Sequence, residues 1–261
     1  MAHPFPLAHS LGDDEMPRYK LTIEYDGTDF VGWQQQDNGP SVQVALQTAA
    51  LNFCGSQIEC MAAGRTDSGV HALGQVVHLD LPHTYTEDTV RDALNAHLRP
   101  APIAVLDVER VDDRFHARFS ATKRVYHYVI VNRRTPLTVE RGRAWLVTHP
   151  LDEAAMLAAG KHLIGRHDFT SFRASECQAK SPVKTLDSLE SVRTGEHVNI
   201  ITQARSFLHR QVRNIVGTLV MVGEGKILPD HVATILAARN RESAGPCAPP
   251  DGLYLFAIGY D

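Results

Sequence analysis

Between Tyr19 and Tyr25 the chain reads YKLTIEY, with apolar and polar residues alternating, which predicts a strand with one buried face. The turn YDGTDF follows, with Asp26-Gly27 supplying its chemistry. Ser41 is placed to cap a helix that carries Val42, Leu46, Ala49 and Phe53 on one side. Strand-like runs at 57–62 and 75–81 come next, then a helix from Thr86 to Leu98 and a strand at 103–109. The predicted order is β-α-β-β-α-β.

The second half repeats it. TKRVYHYVIV (122–131) predicts a strand, 151–163 a helix, and LDSLESVR (186–193) with HVNIITQAR (197–205) two more strands. A helix is expected from Phe207 to about Val222, with Val212, Ile215, Leu219 and Val222 inward and with His209, Arg210 and Arg213 on neighbouring faces. A short helix begins near Asp230, and LYLFAIGY (253–260) closes the half as a strand. A doubled unit of this kind predicts an α+β fold, with two ferredoxin-like halves joined into an extended antiparallel sheet around a central cleft. We place the halves at 17–113 and 114–261, behind a disordered leader at 1–16.

At 43% hydrophobic and 21% charged, the 261 residues hold enough apolar material for one large or two modest cores. No apolar run approaches the roughly 20 residues that span a bilayer, and the N-terminal residues lack the pattern of a secretory signal. Cys54, Cys60, Cys177 and Cys247 are scattered without paired spacing, so reduced cysteines in a cytoplasmic protein are expected. The histidines form no ligand pair of the H-E-x-x-H kind, and no metal is expected. The net charge of −4 argues mildly against a nucleic-acid partner. Its distribution argues the other way: from Arg110 to Arg143 nine Lys or Arg stand against three acids, and local density sets the field that a polyanion meets.

GRTDSGVHA (64–72) lies between the second and third predicted strands. Gly64 and Gly69 permit a tight loop, and Asp67 sits at its centre between the small residues Thr66 and Ser68, two positions after Arg65. A carboxylate framed by glycine with a cation nearby can be held ionised and aimed. Asp and Ser beside Gly are also ordinary turn formers, so residue type alone leaves both readings open.

GRTDSGVHA, with YDGTDFVGWQQQ before it and FHARFSATKRVYHY, DFTSFRA, FLHRQVRNIVGTL and GLYLFAIGY after it, closely resembles the tRNA pseudouridine synthase A family, in the family's order from Tyr19 to the C-terminus. Two departures stand out. Ser68 is most often Ala in the family, and Lys180 stands where Arg is frequent, which keeps charge but loses bidentate phosphate geometry.

The resemblance implies isomerisation of uridine to pseudouridine in the anticodon stem-loop of tRNA, at positions 38, 39 and 40, by a homodimer that needs no cofactor. It implies Asp67 as the catalytic carboxylate, a nucleophile at the sugar C1′ or the base that starts a glycal route. It implies Tyr126 stacked on the target base, with its hydroxyl near the proton lost from C5. Arg213 would pair with Asp67, and Arg65 would assist nucleotide flipping. Phe115, His116 and Arg118 in FHARF, and Lys180 in ECQAK, fall in stretches that contact RNA, with Arg118 the expected phosphate contact.

Two other classes are weighed. A non-catalytic RNA-binding protein on ferredoxin-like sheets would carry the aromatic signature of an RRM strand, which is absent here. A nucleotide hydrolase would need a Walker loop, but around GEGK (223–226) Val220 and Ile227 occupy the required Gly and Ser/Thr places.

Overall fold

The computed structural model describes residues 16–260, so the leader expected at 1–16 lies, apart from Met16, outside the described residues. Strand β1 (Arg18–Tyr25) alternates half-buried and buried residues as its sequence does. Helix α1 (Val42–Cys54) starts where the Ser41 hydroxyl accepts from Val44 N–H. It ends at Gly55, whose φ of 73° permits the N–H to reach Leu51 O. Strands β2 (Met61–Ala62) and β3 (His71–Asp80) follow. Helix α2 (Glu87–Leu98) is capped by Thr86, with Glu87 and Asp88 complementing its dipole, and β4 (Ile103–Val111) completes the half.

The second half contains β5 (Ala121–Asn132), β6 (Trp145–Val147), α3 (Glu153–Lys161), β7 (Gly165–Asp168), β8 (Val183–Thr194) and β9 (His197–Ala204). It ends with α4 (Gln211–Gly223), α5 (His231–Ala238) and β10 (Leu253–Tyr260). The sheet runs β4-β1-β3-β10-β5-β9-β8-β7, with β2 on β3 and β6 on β5. The first half thus has spatial order fourth-first-third-second, and β10-β5-β9-β8 repeats it in the second. All pairings within these two sets are antiparallel. The halves join where β10 pairs parallel with β3, Tyr254 against His71 and Leu255 against Ala72.

Strands β6 and β7 were not expected from the sequence, and three of the boundaries that differ from expectation bear on the site. The strand expected at 57–62 pairs only at Met61 and Ala62; Ile58 and Cys60 are buried, so the earlier residues keep their hydrophobic role without the ladder. Strand β3 begins at His71 rather than 75, because β10 supplies a partner for its first residues. Helix α4 begins at Gln211 rather than Phe207, and His209 and Arg210 therefore lie in the turn before it, not on its faces. Arg210 there adopts a left-handed φ of 58°, while the Gln211 side chain accepts from Leu208 N–H and closes the turn.

One hydrophobic core runs through both halves. Val212, Ile215, Leu219 and Val222 are buried as expected. Helix α4 is buried on nearly every side, so it fixes the residues at its N-terminus on a rigid element.

Candidate active site

The two glycine-rich motifs of the first half form one unit. Residues 63–70 leave the sheet after the Ala63 N–H bond to Val76 O, and the Gln75 side chain donates to Gly64 O at 2.7 Å. The loop then docks on 30–33: Trp33 N–H donates to Thr66 O, Gly69 N–H to Phe30 O, and the Ser68 hydroxyl also to Phe30 O. Gly32 makes this docking possible. Its φ is +110°, and a Cβ there would stand 2.6 Å from Thr66 O and 3.0 Å from the Asp67 carbonyl carbon. Beneath the loop, the Thr66 hydroxyl meets the buried Tyr25 hydroxyl at 2.8 Å.

Asp67 is held from the other half. Arg213, in the first turn of α4, donates through Nη1 to Oδ2 at 3.0 Å, and its Nε donates to Ala248 O at 2.8 Å. His209 Nε2 stands 3.2 Å from Oδ1. Asp67 remains 22% exposed, so its carboxylate is fixed yet reachable. The Asp67–Arg213 pairing is the one the resemblance implied. The His209 contact is one that periodicity missed, because it depends on the left-handed turn before the helix.

Tyr126 sits at the middle of β5, with its ring edge-on to Phe207 at 5.2 Å. Burial, with the nearby Tyr25 and Asp67 acting the same way, pushes its phenol above the ordinary tyrosine range; burial also raises Tyr25 to about 12. Tyr126 is therefore a neutral hydroxyl at neutral pH. Tyr128, on the same strand face, is fully buried and donates to Pro249 O at 2.7 Å.

Of the remaining residues, Arg65, Arg118 and Lys180 are exposed, and Phe115 and His116 are partly buried. Arg65 is exposed and forms no ion pair or hydrogen bond among the described residues. Arg118 is exposed beside Phe119, which is itself 72% exposed. Phe115 packs against Tyr260 at 5.0 Å, and His116 turns its Nδ1 inward to accept from the N–H groups of Arg118 and Phe119. Lys180 is exposed in the strip that also carries Glu176, 4.0 Å from His209 Nδ1.

Two further residues tie the pieces together, and type alone did not mark them. Arg124 is buried without a carboxylate. Its guanidinium donates to Ala63 O at 2.7 Å, Arg118 O at 3.0 Å and Arg205 O, joining three segments that border the site. His71 is buried, accepts from Gly27 N–H at Nδ1, and reaches Gly142 O and Asp251 O with Nε2, so one ring fastens loops of both halves. The basic count from Arg110 to Arg143 also needs correction as a measure of open charge. Arg124 is spent internally, and Arg114, Arg133 and Arg143 pair with Asp112, Glu196 and Asp26.

Among the described residues no helix is long and apolar enough to cross a membrane, and no group of three or more His, Cys, Asp or Glu is placed to hold a metal ion.

Residues 21–120 and 159–261 match the model of a family described as tRNA pseudouridine synthase. A protein of Rhodopseudomonas palustris (strain HaA2) named tRNA pseudouridine synthase A is 60% identical over 245 residues, 94% of this chain and 100% of that one. One of the same name from Nitrobacter winogradskyi is 58% identical over 246 residues, 94% of this chain and 96% of its own. Among solved structures, a chain of a Cbf5-Nop10-Gar1 complex aligns over 77% of this chain and 54% of its own, at 10% identity and a TM-score of 0.32.

Proposed function

Because the chain belongs to the tRNA pseudouridine synthase family, we propose that it isomerises uridine to pseudouridine in tRNA, with Asp67 as the acting carboxylate. The observation that carries the reading is Asp67 itself. It is presented by a glycine-framed loop of one half, gripped by Arg213 of the other, and still reachable from solvent.

The reaction breaks the N1–C1′ bond, turns the uracil, and forms a C5–C1′ bond. C5 gives up one proton and N1 gains one, so no oxidant, reductant or transferred group is required. What it asks of a protein is an ionised carboxylate at the sugar and a pocket that retains the detached base. Arg213 gives the Asp67 carboxylate a fixed partner, and a carboxylate oriented in this way serves both the C1′ attack and the glycal route. Stacking of the uracil on Tyr126 would contribute roughly 1–3 kcal/mol and hold the base through its turn. Since the free phenol is neutral, its hydroxyl acts first as a hydrogen-bond partner of the base.

A stacked uridine must leave its helix before C1′ can be reached, and the unengaged Arg65 beside Asp67 is suited to fill the space and hold phosphate. Arg118, with Phe115 and His116 beneath it, and Lys180 supply backbone contacts on either side. Within this reading the targets are uridines of the anticodon stem-loop, the halves meet at 113/114, and the enzyme is a cytoplasmic homodimer whose mass light scattering would report.

The test is pseudouridine mapping on an unmodified tRNA transcript incubated with the purified protein in EDTA. New pseudouridine just 3′ of the anticodon is the expected result. Binding without product would leave a tRNA-binding protein in its place.

A further inference from the structure

The two side chains that approach the Asp67 carboxylate differ in how they are held. Arg213 is 13% exposed and doubly anchored, to Oδ2 and to Ala248 O. His209 is 35% exposed, and among the described residues its ring approaches two carboxylates, Asp67 Oδ1 at 3.2 Å through Nε2 and Glu176 Oε1 at 4.0 Å through Nδ1. Its backbone is fixed, since His209 O accepts from Ala174 N–H. Glu176 is itself held by Arg210 Nη1 at 3.3 Å, and that arginine occupies the left-handed turn position next to His209. An imidazole on a fixed backbone thus stands between a reacting carboxylate and an exposed one.

A carboxylate that attacks C1′ or removes a proton must offer one oxygen to the substrate. Oδ2 faces the immobile Arg213, so Oδ1 is the oxygen left for the sugar, and His209 covers it in the free protein. We propose that His209 is a positioning residue for the reaction. It holds the Asp67 rotamer with Oδ1 outward before substrate arrives, then yields that oxygen and turns to Glu176 as uridine enters. Glu176 already stands 4.0 Å from the same imidazole, so the ring leaves one carboxylate for another. This rests on the reading of Asp67 as the acting group. Among the described residues the charged groups recorded against the imidazole are Asp67 and Glu176, with Arg213 paired to the first and Arg210 to the second.

Single-turnover kinetics on unmodified tRNA, with tRNA affinity and melting temperature measured alongside, test it. His209→Ala is expected to slow the bound-complex rate about tenfold, in line with loss of orientation, while affinity stays within about twofold. His209→Gln, which keeps an N–H near the Nε2 position, should recover to within about threefold of wild type. Glu176→Gln, at an exposed position, should slow the step by about threefold with no change in melting temperature. A wild-type rate in His209→Ala, or an equal loss in the Ala and Gln variants, would overturn the proposal. A Glu176→Gln rate equal to wild type would remove the exchange. Asp67→Asn in the same series separates the two readings: turnover in that variant would sink the assignment of Asp67, whereas an inert Asp67→Asn beside a full-rate His209→Ala sinks only the role of His209.

Discussion

The β2–β3 connection of the first half and the β8–β9 connection of the second hold the same place in the repeated topology and do different work. Strands β8 and β9 pair from Leu186–Ala204 to Thr194–His197 and close through a tight turn at Gly195, where a Cβ would meet open space. Strand β2 keeps only the pairs Met61–His78 and Ala62–Val77. Residues 63–70 are released from the ladder, and the edge of β3 left vacant at His71 and Ala72 is taken by β10. One shortened strand therefore frees the loop that carries Asp67 and opens the seat where the halves join. This also brings the N-terminal end of α4, with Arg213 and His209, to the loop. A duplicated fold acquires a site by leaving one hairpin unfinished.

With Asp67 itself left in place, breaking the grip between the halves should have the largest effect. Arg213→Gln leaves the Asp67 carboxylate without its fixed partner, and turnover in a steady-state assay should fall roughly a hundredfold, as a misplacement of about 1 Å can cost. A loss under twofold would mean that the loop holds itself.

The paired glycines sharpen the comparison. Gly32→Ala forces a methyl against Thr66 O, so it should cost both stability and most of the activity. Gly195→Ala meets only the penalty of a left-handed alanine, about 1–2 kcal/mol, with the catalytic rate unchanged. Denaturant melts and single-turnover rates on the two variants check this. Equal kinetic effects would contradict it.

Of the sequence-expected phosphate contacts, Arg118→Ala should weaken tRNA binding and reduce the slope of log affinity against log salt by about one. An unchanged slope in a filter-binding titration would remove that contact.

The smallest effect concerns the stub of β2. His78, paired with Met61, is buried, accepts from Ala117 N–H at Nδ1, and is held down to about 4 by burial and then by the nearby Arg18. The unfolded chain binds this proton more readily, so stability should fall as pH drops from about 6.5 to about 4. His78→Asn keeps an acceptor but cannot titrate. It should remove that part of the acid sensitivity in pH-dependent unfolding. An identical pH profile would show that His78 does not contribute.

The strands, helices and their doubled order were legible because alternation, the 3.6-residue period and the Ser41 and Thr86 caps are local signals. The shortness of β2 was not, since Ile58 and Cys60 are as apolar as strand residues and differ only in having no ladder partner. His209 escaped because a helix extended back to Phe207 gives it the wrong direction. Arg124 and His71 escaped because nothing local shows that a charged or polar ring will be buried against backbone carbonyls of distant segments. The excess charge between Arg110 and Arg143 was visible, but its partners Glu196 and Asp26 lie outside that stretch.

The most direct test of the account is the single-turnover rate of Asp67→Asn on unmodified tRNA, with binding followed in the same samples. The account predicts tRNA affinity within a few-fold of wild type and a rate lower by at least about a thousandfold. A rate near wild type with intact binding would contradict it and move the chemistry to another group.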